Sequence, residues 1–193
     1  MNEDDWKPAA DRAMDRYARG DDDAFSELYN LLAPRLYVFV LRRIGDRVKA
    51  EDVVQQAFLH MHGARRHFVR GAAVMPWAFA IARRLLIDRF RQSKSELRLA
   101  EQWLDGDVPE LTSTGSAPDE LASLRRLSSL AEQELAGLPD PQRAAFELVQ
   151  LDGCSMAEAA QILGTTVAAV KMRVHRVCAA LRERLGASAM EPL

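Results

Sequence analysis

Apolar side chains recur along the chain at intervals of three and four residues, which is the spacing of one face of an α-helix. Strict alternation with a period of two is absent and β-branched residues are sparse. The sequence therefore predicts an all-α protein. The clearest stripes are Phe25, Leu28, Leu32, Leu36 and Phe39; Val54, Phe58 and Met61; Trp77, Ala78, Ile81, Ala82 and Leu85; and Val167, Val170, Val174, Val177 and Leu181.

Helix-breaking residues divide the N-terminal half into three predicted helices. The first covers 24–44, and Pro34 is expected to bend or break it. The second begins near Ala50 and ends near Gly63. The third begins at Pro76, a residue favoured in the first turn of a helix, and ends near Arg91.

In the C-terminal half, a helix is predicted over 118–137 and is followed by one with Asp140 as its N-cap. Ser155, with Glu158 three residues later, has the pattern of a capping box and predicts a short helix. Thr166 is expected to cap the last helix.

The stretch between the two halves is rich in Gly, Pro, Ser and Thr and indicates a linker. The sequence thus predicts two small helical domains, a helical bundle and a helix-turn-helix, joined by a flexible linker. The predicted boundaries are an N-terminal arm at 1–19, a first domain at 20–94, the linker at 95–118, a second domain at 119–186 and a tail at 187–193.

Composition restricts the class of protein. The 193 residues are 48% hydrophobic and 28% charged, with a net charge of −2, so the chain can bury real cores. It contains no run of about 18 apolar residues and begins with acidic residues, which predicts a cytoplasmic protein without membrane insertion. Cys154 and Cys178 are interpreted as small buried hydrophobic residues rather than a disulfide.

The charge is unevenly divided along the chain. Basic residues outnumber acidic ones over 21–94, an acidic excess follows over 95–124, and a second basic group occupies 167–185. Two basic surfaces separated by an acidic connector suggest two contacts with one polyanion.

The segment 155–184 has the pattern of a helix-turn-helix whose second helix enters the major groove of DNA. A bundle helix with a solvated basic face remains the alternative. The candidate DNA-facing residues are Thr165, Thr166, Ala168, Lys171, Met172, Arg173, His175 and Arg176.

Two further helix faces could bind partners. Asp52, Gln55, Gln56 and Leu59 share one face of the second helix, and this polar set suits a protein partner, although composition alone favours a solvated surface. The third helix carries four arginines against one aspartate, next to basic and aromatic residues of the kind that grip unstacked bases. Each of these aromatic residues could equally be a core residue.

An enzyme is disfavoured, because the chain has neither a phosphate-binding loop nor metal-ligand spacing. No catalytic residue, metal site or cofactor is predicted.

At the level of motifs, the chain resembles the extracytoplasmic-function (ECF) sigma factors of the sigma-70 family. Residues similar to sigma region 2 are Gly20-Asp21, Ala24-Phe25, Leu28-Tyr29, Ala50-Glu51-Asp52, Gln55, Phe58, Trp77, Ile81-Ala82-Arg83, Asp88 and Arg91. Residues similar to region 4 are Leu138-Pro139, Met156-Ala157-Glu158-Ala159-Ala160, Leu163-Gly164, Val170-Lys171, Arg173, His175-Arg176 and Leu181-Arg182. Because both regions occur in one chain and in the family's order, the resemblance is far more specific than a match to either region alone.

The resemblance implies an alternative sigma factor that binds core RNA polymerase through the beta-prime clamp helices and the beta flap, recognises promoter DNA and directs transcription initiation. It also implies an anti-sigma factor as a partner. Asp52, Gln55, Gln56 and Leu59 would bind the polymerase. The minus-ten candidates are Arg70, Trp77, Arg84, Asp88 and Arg91, and the helix-turn-helix set above becomes the minus-thirty-five candidates.

Departures from the family pattern affect which promoter is read. Arg84 stands where the family usually has Asn, and Ala168-Ala169 stand where Gly-Thr is common. Met172 and Cys178 replace a frequent Ser and a frequent Arg. The alternative from another class is a helix-turn-helix regulator that acts without polymerase.

Overall fold

The computed structural model describes residues 6–101, 134–135 and 137–185; for 93–101 and 184–185 it describes the backbone alone. The chain divides into two units, Met1–Gln102 and Trp103–Leu193. The described residues are helical with turns between the helices and contain no strand, so the all-α, two-domain prediction is confirmed. Most of the predicted helix over 118–137, most of the linker and the tail lie outside the described residues; of that helix, 134–135 are helical.

The first unit begins with a helix, α1 (Trp6–Ala18), where the sequence predicted only an arm. Its buried residues lie three and four apart and face α2 and α4. The Arg35 guanidinium lies 3.8 Å from the centre of the Trp6 ring, and burial lowers the pKa of Arg35. The buried residues of α1 are Trp6, Ala10, Ala13, Met14 and Tyr17.

Helix α2 (Ala24–Ile44) is continuous through Pro34, so the predicted break is absent. Proline removes one helical hydrogen bond, but Leu32 and Leu36 on either side of it are both fully buried. This shared burial keeps the two halves of α2 in one helix.

Helix α3 (Arg47–Ala64) begins three residues earlier than predicted, because the Asp46 side chain caps it by accepting from the Lys49 amide at 3.1 Å. Val54, Phe58 and Met61 are buried, as predicted. A short 3₁₀ turn (Arg65–His67) follows α3.

Helix α4 (Val74–Glu101) extends beyond the predicted end near Arg91 and beyond the predicted domain boundary at 94. Its buried stripe includes Met75, Phe79, Ala82 and Leu86, whereas predicted Trp77 is only half-buried. The Phe79 ring packs against Phe39 with their centroids 4.9 Å apart, at the centre of the unit.

The second unit contains α5 (Asp140–Phe146), a π-helical turn (Glu147–Leu151), α6 (Met156–Leu163) and α7 (Val167–Leu185). Pro139 occupies the N-cap position of α5; Asp140, predicted as the cap, instead accepts from Arg143 Nη2 at 2.6 Å. Phe146, Val177 and Leu181 form a buried cluster between α5 and α7.

A tight turn joins α6 to α7. The predicted capping box of Ser155 and Glu158 starts α6, and Gly164 ends it in the left-handed conformation, with φ of 61°. The amide of Thr165 donates to the Ala160 carbonyl at 3.0 Å and closes the turn. The Thr166 hydroxyl accepts from the Ala169 amide at 3.2 Å and caps α7, as predicted.

Candidate functional site

The four residues that the sequence predicts as a partner-binding face lie together on one side of α3. Asp52 is half-buried, while Gln55, Gln56 and Leu59 are exposed, and 69% of the Leu59 side chain is accessible. An exposed leucine beside two amides and a carboxylate provides both apolar and hydrogen-bonding contacts to a partner protein.

Asp52 is held by two neighbours. Its carboxylate accepts from Gln56 Nε2 at 3.3 Å, one turn further along α3, and pairs with Arg89 Nη1 of α4 at 2.8 Å. Arg89 also donates to the Lys49 carbonyl at 3.3 Å. The sequence counts Arg89 among the four arginines of the predicted third helix but did not predict its pairing with Asp52, because nothing in the spacing of α4 indicates that Arg89 faces α3.

An apolar groove of about 610 Å³ adjoins this α3 face. Rings from three helices line it, and Phe58 contacts both Tyr29, with centroids 4.7 Å apart, and Phe25, at 6.0 Å. Its lining residues are Tyr17, Asp22, Phe25, Tyr29, Gln55, Phe58, Leu59 and His62. Sequence reasoning missed the groove, since Tyr17 belongs to the unpredicted α1.

Tyr17 lines this groove, and its hydroxyl is hydrogen-bonded to Nδ1 of His62. Burial raises the pKa of Tyr17, and Asp22 adds to the increase, whereas the Arg65 guanidinium partly opposes it. The hydrogen bond connects α1 to the end of α3.

Four of the five minus-ten candidates share one face of α4: Trp77, Arg84, Asp88 and Arg91 follow one another at intervals of seven, four and three residues. Arg84 and Asp88 form an ion pair at 4.0 Å, and 86% of the Arg84 side chain is exposed. Trp77 is half-buried because its ring packs against Phe68, with centroids 5.1 Å apart. The face therefore has an aromatic residue at one end and exposed charges at the other.

Arg70, the fifth candidate, is exposed in the loop between the 3₁₀ turn and α4. Next to it, Val69 is 72% exposed. The resemblance implied a minus-ten role for the loop from about Arg65 to Met75 as a whole, which includes Val69, but did not single out this residue.

The outer face of α7 carries most of the helix-turn-helix candidates. Ala168, Lys171, Met172, His175 and Arg176 are exposed, and Met172 is 55% accessible.

The remaining three candidates differ in exposure. Arg173 and Thr165 are half-buried, and the exposed Thr166 uses its hydroxyl as the helix cap. Val167, predicted to start the buried stripe, is 47% exposed, because the stripe begins one turn later at Val170.

A shallow groove of about 500 Å³ runs along this face of α7 from Met156 of α6 to Arg182. It includes Met172 and the half-buried Cys178, while Cys154 is buried elsewhere in the unit. In the part of the chain that the structure describes, no three His, Cys, Asp or Glu side chains are grouped to hold a metal ion.

Family models match both units. The model for sigma-70 region 2 matches residues 28–96, and the model for sigma-70 region 4 matches residues 128–181. Among the described residues, no helix has the length and apolar character needed to cross a membrane.

Curated relatives match over nearly the whole chain. The ECF RNA polymerase sigma factor SigW of Bacillus subtilis is 30% identical, over 86% of this chain and 91% of that protein. The RNA polymerase sigma factor CarQ of Myxococcus xanthus is 32% identical, over 92% of this chain and 98% of that protein.

Among solved structures, the fold is similar to that of the sigma factor RpoE in complex with the anti-sigma factor NepR from Bartonella quintana. The TM-score is 0.64 at 24% identity, and the match covers 84% of this chain and 97% of that chain.

Proposed function

The chain belongs to the family of ECF RNA polymerase sigma factors. From this membership we propose which of its exposed faces bind the polymerase and which bind promoter DNA. As an alternative sigma factor, it binds core RNA polymerase and promoter DNA and directs transcription initiation. Sigma factors are initiation factors and not enzymes. The reaction is carried out by the polymerase, and we assign no catalytic residue to this chain.

The α3 face of Asp52, Gln55, Gln56 and Leu59 binds core polymerase at the beta-prime clamp helices. This assignment is supported by the exposure of Leu59 beside hydrogen-bonding groups, and by the apolar groove that continues the face toward α1 and α2. A helical partner could place apolar side chains in the groove while its polar groups meet Asp52 and the two amides.

The α4 face of Trp77, Arg84, Asp88 and Arg91, together with Arg70 in the preceding loop, binds the minus-ten element. Arg84 and Arg91 on this face are exposed, and their guanidinium groups can bind a phosphate backbone. The Trp77 ring at the end of the face can stack on an unstacked base. The ion pair with Asp88 orients Arg84 along the face.

The outer face of α7 reads the minus-thirty-five element in the major groove. Lys171 and Arg176 supply positive charge on this exposed face, while Ala168 and Met172 supply apolar contacts. Thr165, Thr166, Arg173 and His175 complete the set at the start of α7 and along its flanks. The beta flap of the polymerase is a second proposed partner of this domain.

Two further properties follow from the proposed function. Because core RNA polymerase works in the bacterial cytoplasm, we place the chain there. An anti-sigma factor is a further proposed partner, by analogy with the structural neighbour that is bound to one.

The observation that carries this proposal is the presence of region 2 and region 4 in that order in one chain. A regulator acting without polymerase is not favoured, because such a protein has no need of region 2. The test is run-off transcription from genomic fragments with core polymerase, with and without the full-length chain. New transcripts should depend on the chain and should be lost when Lys171 and Arg176 are both changed to Ala. DNA binding without any new transcript would contradict the proposal.

A further inference from the structure

The loop Phe68–Ala73, which leads into α4, is fixed at both ends but has few bonds of its own. Phe68 is buried against Trp77 at one end, and Val74 is fully buried at the other. Within the loop, the amide of Ala72 donates to the Val69 carbonyl at 3.1 Å. Val69 and Arg70 at the tip are both exposed. The shape of the tip therefore depends on contacts from outside the loop.

Two aspartates of α1 supply such contacts. Oδ1 of Asp11 accepts from the amide of Val74 at 2.7 Å, and Oδ1 of Asp15 accepts from the amide of Gly71 at 3.1 Å. The two aspartates are four residues apart and so lie on the same face of α1.

Each bond meets a specific need of the backbone. Val74 is the first residue of α4, and the first amides of a helix have no partner within the helix, so Asp11 serves as a cap supplied by another helix. The negative charge of Asp11 also interacts favourably with the positive end of the α4 dipole. Gly71 has φ of 75°, a left-handed conformation that points its amide toward Asp15 at the turn of the loop.

We propose that Asp11 and Asp15 are positioning residues for promoter opening: they hold the loop so that Val69 and Arg70 meet the melted minus-ten strand. The proposal rests on the proposed function of the α4 face. Neither aspartate is proposed to contact DNA. Each acts through the backbone of the loop, which leads into α4 and whose Phe68 packs against Trp77.

The test uses full-length chain assembled with core polymerase and compares Asp11→Ala and Asp15→Ala with Asp11→Asn and Asp15→Asn. The amide oxygen of Asn can still accept the backbone hydrogen bond, so the Asn variants separate hydrogen bonding from charge. Arg12→Ala is the matched control, because Arg12 is exposed on the same helix between the two aspartates.

The probe is a labelled single-stranded oligonucleotide with the non-template minus-ten sequence of a promoter that the unmodified holoenzyme transcribes. Each Ala variant should bind it about tenfold more weakly, as expected for loss of a hydrogen bond to a charged group. The Asn variants should bind the oligonucleotide within about threefold of the affinity of the unmodified chain. Arg12→Ala should bind it as tightly as the unmodified chain. Core affinity and binding to a minus-thirty-five duplex should be unchanged in all five variants.

A purely structural role would lower core affinity and oligonucleotide binding together, and that result would overturn the proposal. Ala variants that bind the oligonucleotide normally would also overturn it. If Asp11→Ala does not fold, Asp15→Ala alone tests the proposal. Its hydrogen bond to the Gly71 amide is exposed, so its loss should not unfold the domain. Failure of the proposed function would be seen separately, because the unmodified holoenzyme would then neither transcribe nor bind the strand.

Discussion

Replacing Asp52 by Ala tests whether the α3 face binds the polymerase, and the structure shows which second effect must be separated from binding. The substitution removes a carboxylate from the exposed face and, at the same time, breaks the ion pair with Arg89 at 2.8 Å. A loss of core affinity could therefore come from the interface or from a loosened contact between α3 and α4.

The two effects differ in size. The side chains of Arg89 and Asp52 are 35% and 45% exposed, and ion pairs with this much solvent contribute about 0.2–1 kcal/mol to the free energy of unfolding. The melting temperature should therefore fall by a few degrees, at about 4–8 °C per kcal/mol for a domain of this size. Removing a charged group that is hydrogen-bonded in an interface costs about 2 kcal/mol or more, which is roughly thirtyfold in Kd.

Arg89→Ala is the matched control, because it breaks the same ion pair and leaves the carboxylate in place. The assay is titration of the labelled full-length chain with core polymerase by fluorescence anisotropy, beside thermal unfolding of each variant. Both variants should lose similar stability, with a slightly larger loss for Arg89→Ala, since Arg89 also bonds to the Lys49 carbonyl. Asp52→Ala should lose roughly thirtyfold in core affinity, and Arg89→Ala less than about threefold. Equal losses of affinity would refute a direct role for Asp52.

Three other predictions concern stability and DNA binding. Phe79→Ala should lower the free energy of unfolding of the first unit by about 3–5 kcal/mol in chemical denaturation, because it empties a fully buried site beside Phe39. The Lys49 amide holds the pKa of Asp46 below its usual value, so Asp46→Ala should lower the melting temperature at neutral pH. This deficit should shrink as the pH falls through the lowered pKa, because the extra stability that the charged carboxylate gives is then lost. Asp46→Asn should keep the cap at every pH; a deficit independent of pH would contradict the prediction. Arg176→Ala should cost about 1–3 kcal/mol in binding to a minus-thirty-five duplex and change the preference at one base pair; a uniform loss across sequences would indicate a phosphate contact instead.

The sequence alone was sufficient to predict the helix caps and buried stripes that have strong local signals. The capping box of Ser155 and Glu158 and the cap at Thr166 were predicted from residue type and spacing and are confirmed as hydrogen bonds. The same holds for the buried stripe of α3. These features depend on residues within one or two helical turns, so the local sequence determines them.

Features that depend on packing between helices could not be predicted in this way. Helix α1 was missed because its stripe is built partly from small residues, Ala10 and Ala13, which become buried only against α2 and α4. Pro34 was expected to bend or break α2, but the helix is continuous, because burial on both sides of Pro34 outweighs one lost hydrogen bond. The contact of Arg89 with Asp52 likewise depends on how α4 lies against α3.

The roles of the individual residues on the three faces remain predictions. Spacing placed Asp52, Gln55, Gln56 and Leu59 on one face of α3, and Arg84, Asp88 and Arg91 on one side of α4, and the structure agrees for both. Trp77 was predicted in the buried stripe of α4 instead, although it shares the second of these faces. The structure adds that Arg84 is paired with Asp88 and that the Thr166 hydroxyl, predicted as the cap of α7, is used by the Ala169 amide. Those contacts decide which groups are available to DNA.

The packing of α1 has a practical consequence for making fragments of this protein. A clone of the first domain that starts at Gly20, where the sequence motifs start, would remove Met14 and Tyr17 and leave their neighbours on α2 and α4 open to water. Such a truncated product should aggregate or be degraded on expression. A negative result obtained with it would say nothing about the intact domain.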